Sequence, residues 1–214
     1  DRARELHGSS IELGAVAMTV LRGLVGFTFF HLAFWLRSQD QGTLWFAAVV
    51  GVSALAAMVG NAAAAQVRRR VREETMLTIS LLVCAAAGLT VSVLGGPVGA
   101  VLLAGVLNFM AALGRLSFES IVQRDAPGAN RGRAFAVFET RFQLAWAIGA
   151  FVAVAIQVSG TIGFVIVGAT AAGASFYLWA RRRDLAAGVR PRSRGRARGR
   201  APRPRSGSAS PRDR

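Results

Sequence analysis

The chain has 214 residues, 53% of them hydrophobic, and a formal net charge of +15. An ordinary water-soluble domain is excluded unless the apolar residues and the charges occupy separate parts of the chain. They do, because half of the 26 basic residues follow residue 180 and long apolar runs precede it. We therefore expect an all-α integral membrane protein with a basic tail.

The first segment, residues 1–11, is polar and predicts the end of a linker that leads into the first helix, with Ser9 or Ser10 as its N-cap. The chain begins with Asp1, and nothing in this segment resembles a cleaved signal sequence. We therefore expect a fragment whose N-terminal portion is missing.

Six apolar stretches follow, each long enough to cross a hydrocarbon core of about 30 Å as a helix. The predicted transmembrane domain, residues 12–180, contains spans at 12–36, 43–66, 75–94, 97–120, 134–158 and 161–180. Helix-breaking or charged residues separate them. A soluble bundle is disfavoured, because its helices need a polar face and the third and sixth stretches carry no charge.

The arginines between the spans predict the orientation. The loops after the second and fourth spans contain Arg68, Arg69, Arg70, Arg72, Arg131 and Arg133. If the spans alternate in direction, these basic loops lie on the same side as the tail, and positive residues accumulate on the cytoplasmic side. We expect a multi-pass protein of the cell membrane with both ends of this chain in the cytoplasm.

The tail, residues 181–214, is dominated by Arg, Pro, Gly and Ser. This composition predicts a disordered cytoplasmic segment. Its arginines are expected to lie near the anionic headgroups of the lipid bilayer. No specific binding of nucleic acid is expected beside a membrane.

Two polar residues lie deep in predicted spans, where such residues are functional candidates. Arg22 is about 15 Å into the first span, and Asn108 is midway along the fourth. Both are candidates for a substrate cavity. Arg22 could bind an anionic group or a carboxylate on another helix there, or it could form a structural ion pair with a helix outside this chain.

Four charged residues are expected at one depth near the cytoplasmic ends of the fourth and fifth spans: Arg115, Glu119, Glu139 and Arg141. Arg115 and Glu119 are four residues apart and share a helix face. The pattern predicts an interhelical salt-bridge cluster. It could hold the two helices together or act as a gate latch, and the sequence leaves both open.

His31 lies in the aromatic run FTFFHLAFW near the outer end of the first span. Its distance of nine residues from Arg22 predicts the opposite helix face. The run favours an interfacial aromatic belt, with a protonation switch as the alternative.

The polar residues also repeat with a period of three spans. The first and fourth spans hold the deep or clustered polar residues, and the third and sixth hold only Ser, Thr and Cys. This rhythm predicts two three-helix repeats, an arrangement typical of transporters.

The stretch FESIVQRDAPGANRGRAFAVFETRFQLAWAIGA, residues 118–150, resembles the tenth-to-eleventh helix region of major facilitator superfamily transporters, especially bacterial proteins of the multidrug-efflux type. The stretch QVRRRVREE, residues 66–74, occupies the place of that superfamily's basic loop between helices eight and nine. The resemblance implies the C-terminal six-helix half of a transporter. Its partner would be the missing N-terminal half, and its first and fourth spans would line the cavity.

The resemblance further implies secondary active transport by alternating access, most directly efflux of a small drug or metabolite driven by a proton gradient. Uptake of an anionic metabolite through Arg22, or a scaffold subunit that transports nothing, is the alternative. No acid lies at midplane in this chain, so we expect the proton-titrating acid in the missing half. An enzyme is disfavoured, because the chain lacks paired deep acids, a His cluster, a nucleophile with a base and a set of cysteines. No metal or cofactor is expected.

Overall fold

A computed structural model describes residues 2–125 and 131–188. They form six helices, and no strand occurs in these ranges: α1 Arg2–Leu36, α2 Gly42–Arg68, α3 Glu73–Leu94, α4 Gly96–Asp125, α5 Arg131–Ile156 and α6 Gly160–Gly188. Each helix contains an apolar stretch long enough to cross a membrane. The predicted all-α membrane fold with six spans is confirmed.

The ends of the first and last helices differ from the sequence prediction. Helix α1 begins at Arg2, so Ser9 and Ser10 lie inside it and neither caps it. Helix α6 continues to Gly188, so the first residues of the predicted disordered tail are helical. The apolar pattern predicts where a helix leaves the hydrocarbon, and not where the helix ends. A helix that has already formed can extend through further polar residues at little cost. The predicted disorder of residues 189–214 lies outside the described residues.

Two glycines with positive φ lead from α3 into α4: Gly95 forms the link and Gly96 is the first residue of α4. Gly95 has φ 68° and Gly96 has φ 78°. Residues with a Cβ rarely adopt these angles. Pro97 then occupies the first turn of α4, where a missing N–H breaks no helical hydrogen bond.

Short links reverse the chain between consecutive helices. The α2–α3 turn, the end of α4 and the start of α5 therefore lie at the same end of the bundle. We name this the basic end, since the turn contains Arg69, Arg70 and Arg72. The other end is named the opposite end.

Helices α1 and α4 form the centre of the bundle, because each contacts the other and also α2, α3 and α5. Their most apolar windows are 56% and 50% buried, against 6% for α2 and 22% for α5. The core consists of interlocking aliphatic side chains, among them Met18, Leu21, Leu77, Leu103 and Leu107. Helices α2 and α5 therefore present the most open faces of the chain.

The helix contacts follow the predicted repeat of three. Shifting each helix number by three turns the α1–α5 contact into the α4–α2 contact, and both occur. The same shift turns the α3–α4 contact into an α6–α1 contact, and both of these occur as well. Glu73 at the start of α3 meets Arg124 near the end of α4 at the basic end, and Gly160 at the start of α6 meets Trp35 near the end of α1 at the opposite end. The two repeats are thus inverted relative to each other.

Glycine allows the closest of these crossings. A Cβ added to Gly26 would fall on the backbone oxygen of Trp146, and one added to Gly149 would fall on that of Gly23. Small residues at such points let helix backbones approach in a membrane. This packing fixes the register of α1 against α5, on which the polar contacts below depend.

Candidate functional site

Arg22 stands in the middle of the apolar stretch Ser10–Leu36. At about 1.5 Å per residue, it is about 18 Å from one end of that stretch and about 21 Å from the other. Its Nη2 donates a hydrogen bond to Oε1 of Gln143 on α5, at 3.1 Å. The guanidinium therefore points from α1 toward α5.

Gln143 carries the contact toward the basic end. Its Nε2 donates to Oε1 of Glu139, one turn earlier on α5, at 2.8 Å. The amide thus accepts a hydrogen bond from a cation and donates one to an anion. If the amide were flipped, its NH₂ group would face the guanidinium of Arg22 and its oxygen would face the carboxylate of Glu139. The two hydrogen bonds therefore fix its orientation.

Arg115 on α4 completes the network. Its Nη2 lies 3.5 Å from Oε2 of Glu139, and its Nε donates to Oε1 of Glu119 at 3.0 Å. The predicted interhelical salt bridge therefore runs from Arg115 to Glu139, and the Arg115–Glu119 pair lies within one face of α4.

Together these contacts form one chain of five side chains, which we name the polar ladder. It runs from the middle of the membrane toward the basic end: Arg22, Gln143, Glu139, Arg115, Glu119. Three helices contribute to it, and the glycine crossing of α1 and α5 holds its deepest contact in register.

The ladder lies on an open face. The side chains of Arg115, Glu139 and Glu119 are 51%, 43% and 33% exposed. Charged groups inside a membrane span are costly against lipid, and they face protein or a water-filled space. This face of α1, α4 and α5 is therefore one that water or a protein surface covers in the membrane.

Charge is unevenly distributed within the ladder. Both carboxylates contact Arg115, whereas the described contact of Arg22 is with the neutral amide of Gln143. Arg22 is thus the cation of the ladder that lacks a carboxylate against it.

Two predicted site residues lie outside the ladder. Arg141 is exposed and makes no salt bridge with any described residue, so the described contacts of the cluster do not include it. It is two residues from Glu139, and side chains two apart point away from each other on a helix. Asn108 lies seven residues before Arg115 on the same face of α4, and its Nδ2 donates to the carbonyl oxygen of Ala104 at 2.9 Å.

Aromatic side chains continue the open face from the ladder toward the opposite end. Phe30 of α1 packs edge-on against Trp146 of α5, with ring centroids 5.9 Å apart. Phe29 packs in the same manner against Phe46 of α2, at 5.5 Å. All four rings are partly exposed. Apolar and aromatic surface therefore adjoins Arg22.

A second charge cluster, which was not predicted from the sequence, lies at the basic end. Arg124 of α4 reaches Glu73 at 3.2 Å and Glu74 at 2.8 Å, and Ser120 donates to Glu73 at 3.3 Å. These acids precede the predicted third span, in the basic segment between spans. The signal that could have identified this cluster is the pair of acids in the first turn of α3. Acids at that position are stabilised by the helix dipole, and they face the end of the neighbouring helix.

The predicted basic loops are largely solvent-exposed. Arg72 lies 3.9 Å from Glu74, but its side chain is 85% exposed. Arg68, Arg69, Arg70 and Arg133 are exposed as well, and the side chain of Arg131 lies outside the described residues.

His31 is buried, at 2% exposure, rather than placed in an aromatic belt at the membrane surface. Its ring stacks on Phe27 with centroids 5.6 Å apart and meets Phe164 of α6 edge-on at 5.9 Å. Gly163 provides the space, since a Cβ there would fall on the imidazole. His31 therefore faces α6 while Arg22 faces α5, as their spacing predicts.

Six membrane-length helices in two inverted repeats, with a polar ladder on an open face, define a multi-pass membrane protein. The family model described as Major Facilitator Superfamily matches residues 4–150, and the chain belongs to this superfamily. Members of this superfamily are transporters of small solutes and not enzymes.

One similar protein is described as an uncharacterized protein of Mycobacterium leprae (strain TN). It is 26% identical over 175 residues, a match that covers 78% of this chain and 30% of that protein. The chain thus spans about a third of the length of this relative. No solved structure matches the chain.

Proposed function

We propose that this chain is one six-helix half of a secondary transporter that exports small organic molecules by alternating access, driven by a proton gradient. The observation that carries the proposal is the polar ladder, with three half-exposed charged side chains within the membrane-length parts of α4 and α5. Its covering is a second six-helix half, with the substrate pathway between the two.

The burial of the helices supports this arrangement. The α2 and α5 windows are 6% and 22% buried. They flank the central pair α1 and α4 and bound the open face. A second half that rests on α2 and α5 would leave a cleft along α1 and α4. Arg22 and Asn108 would stand at the middle of this cleft.

In this arrangement the ladder serves as the inner gate. The Arg115–Glu139 pair joins α4 to α5 close to the basic end. As a gate, this end opens when the basic ends of α4 and α5 bend apart within this half, which would break the pair. The exposure of both side chains keeps the net contribution of such a pair to about 1 kcal/mol or less, which allows repeated opening and closing.

We further propose that the basic end faces the cytoplasm, because positive residues accumulate there. An impermeant maleimide applied to intact cells would label Ser38→Cys in the α1–α2 turn and leave Arg70→Cys unlabelled until the membrane is permeabilised. Cys84 is buried and gives little background. Labelling of Arg70→Cys from outside would reverse the orientation.

Uptake of an anionic metabolite is the second candidate, since Arg22 has no carboxylate against it in the described residues. A scaffold without transport accounts less well for the ladder, because a surface that only binds a partner has no need of charges at this depth.

The test uses the full-length protein in proteoliposomes, with a panel of labelled organic molecules and an imposed proton gradient. We expect gradient-driven movement of a subset of the panel. Arg115→Gln should slow transport several-fold, while Arg133→Gln, which removes an exposed arginine, should leave it unchanged. A well-folded protein that moves no compound under any gradient would favour the scaffold.

A further inference from the structure

The two cations of the polar ladder have different partners. Arg115 contacts the carboxylates of Glu119 and Glu139, whereas Arg22 donates to the neutral amide of Gln143. A guanidinium carries five N–H donors, and the described residues accept a hydrogen bond from Nη2. In the middle of a membrane, this group gains most from a charged oxygen acceptor, because charge-assisted hydrogen bonds are about twice as strong as neutral ones.

The surroundings of Arg22 are apolar on one side. Phe29 lies two turns further along α1 on the same face, about 10 Å from Arg22, and contacts Phe46. Trp146 lies one turn beyond Gln143 on α5 and contacts Phe30. A cation followed by about 10 Å of aromatic surface matches a molecule with an anionic head and a flat apolar body.

The amide of Gln143 contacts Arg22 with the geometry that a carboxylate would adopt there. An amide oxygen and a carboxylate oxygen are both planar sp² acceptors. A carboxylate can therefore occupy the place of the Gln143 oxygen, 3.1 Å from Nη2, with full charge in addition. A ligand with a cationic head would meet Arg22 as a like charge.

We propose that Arg22 binds the carboxylate of an amphiphilic aromatic acid. Gln143 is a placeholder, which means that its amide oxygen accepts the hydrogen bond from the guanidinium until this carboxylate displaces it. The inference rests on the proposed transport function and adds the class of substrate. Arg22 and the rings of Phe29, Phe30, Phe46 and Trp146 form the site.

Displacement of Gln143 has a consequence for the gate. The same amide holds Glu139 through Nε2 at 2.8 Å, and Glu139 holds Arg115 at 3.5 Å. When the ligand carboxylate binds the guanidinium, the amide of Gln143 loses its hydrogen bond from Arg22, which fixes its orientation. Occupancy of the site in the middle of the membrane is thereby linked to the Arg115–Glu139 pair near the basic end.

The test is equilibrium binding to the purified full-length protein in detergent, measured by isothermal titration calorimetry. The probes are two matched pairs, benzoate with benzamide and naphthalene carboxylate with its carboxamide. We expect at least one carboxylate to bind about tenfold more tightly than its amide, the difference that one charge-assisted hydrogen bond gives. Arg22→Gln should remove this preference, and Arg22→Lys should keep part of it.

Gln143→Leu separates a placeholder from a structural contact. If Gln143 competes for Arg22, its removal tightens carboxylate binding several-fold and leaves amide binding unchanged. Unchanged or weaker carboxylate binding in a protein that stays monodisperse would overturn the placeholder role. The control is Arg141→Gln, which removes an exposed arginine of α5 outside the site and should not alter the preference.

Binding to the wild-type protein and to the Arg22→Gln variant decides the substrate class. Equal affinity for acid and amide in both pairs, or no binding of either acid, would overturn it, as would a preference that survives Arg22→Gln. Failure of the transport function gives a different result, since binding needs neither a gradient nor movement. A carboxylate preference without transport would refute export only, and gradient-driven transport that ignores the acid group would refute this inference only.

Discussion

Arg115 is the side chain on which the gate depends, since it contacts Glu119 on its own helix and Glu139 on α5. We expect a double-mutant cycle of Arg115→Ala and Glu139→Ala to give a coupling of about 0.5 to 1 kcal/mol, because both side chains are substantially exposed. The measurement is the unfolding free energy of the full-length protein in detergent.

The matched control is the same cycle on Arg141 and Glu139, which are neighbours in sequence and make no salt bridge. Its coupling should be near zero. If the Arg141 cycle equals the Arg115 cycle, the cluster has a different geometry from the one described.

Helical spacing explains which ladder residues the sequence could identify. Arg115, Glu119 and Glu139 are charged residues within spans, and that property alone singled them out. Gln143 is neutral, and only its spacing of four residues from Glu139 indicates a shared face. The same rule excludes Arg141, two residues away. The partner of Arg22 was not predictable, because the contact to α5 crosses 121 positions of sequence.

At the level of helices, glycines govern how closely α1 and α5 approach. Gly26→Ala would place a methyl group on the backbone oxygen of Trp146, so the helices must separate. We expect a loss of about 1 to 3 kcal/mol, typical of overpacking, and a weaker Arg22–Gln143 contact. Thermal unfolding of the full-length protein in detergent measures the first effect.

Gly173→Ala on α6 is the matched control, because an added Cβ meets nothing within 4 Å there and the proposed second half rests on α2 and α5. It should be neutral or slightly stabilising, since alanine is a better helix former. Equal destabilisation by the two variants would show that the helices do not cross at Gly26.

The spans themselves follow from the sequence because hydrocarbon thickness sets their length. Their pairing does not. Arg124 and the acids Glu73 and Glu74 are about 50 positions apart, and no local pattern connects them. The repeat of three gave partial guidance, since it relates the α1–α5 contact to the α4–α2 contact. It could not say which glycines would lie at the crossings.

For the whole molecule, the open face raises the question of which half contains the proton site. Within the described residues, the carboxylates of the ladder lie toward the basic end of their spans: Glu119 is about 8 Å from the Arg124 end, and Glu139 is about 6 Å from the Phe135 end. Both contact Arg115. The residue at the middle of the membrane is Arg22, which carries no transferable acid proton at neutral pH.

We therefore expect proton coupling to depend on an acid in the second half rather than on Glu119 or Glu139. Glu119→Gln and Glu139→Gln should weaken the gate and lower the rate of transport, yet substrate movement should still respond to an imposed proton gradient in proteoliposomes. The readout is the ratio of transport with and without the gradient, which a weakened gate alone does not alter. If either variant reaches the membrane at the wild-type level and still transports, but no longer responds to the gradient, that carboxylate is the coupling site and the two halves divide the work differently. If both retain the response, this half provides the gate and the substrate cation, and the other provides the proton.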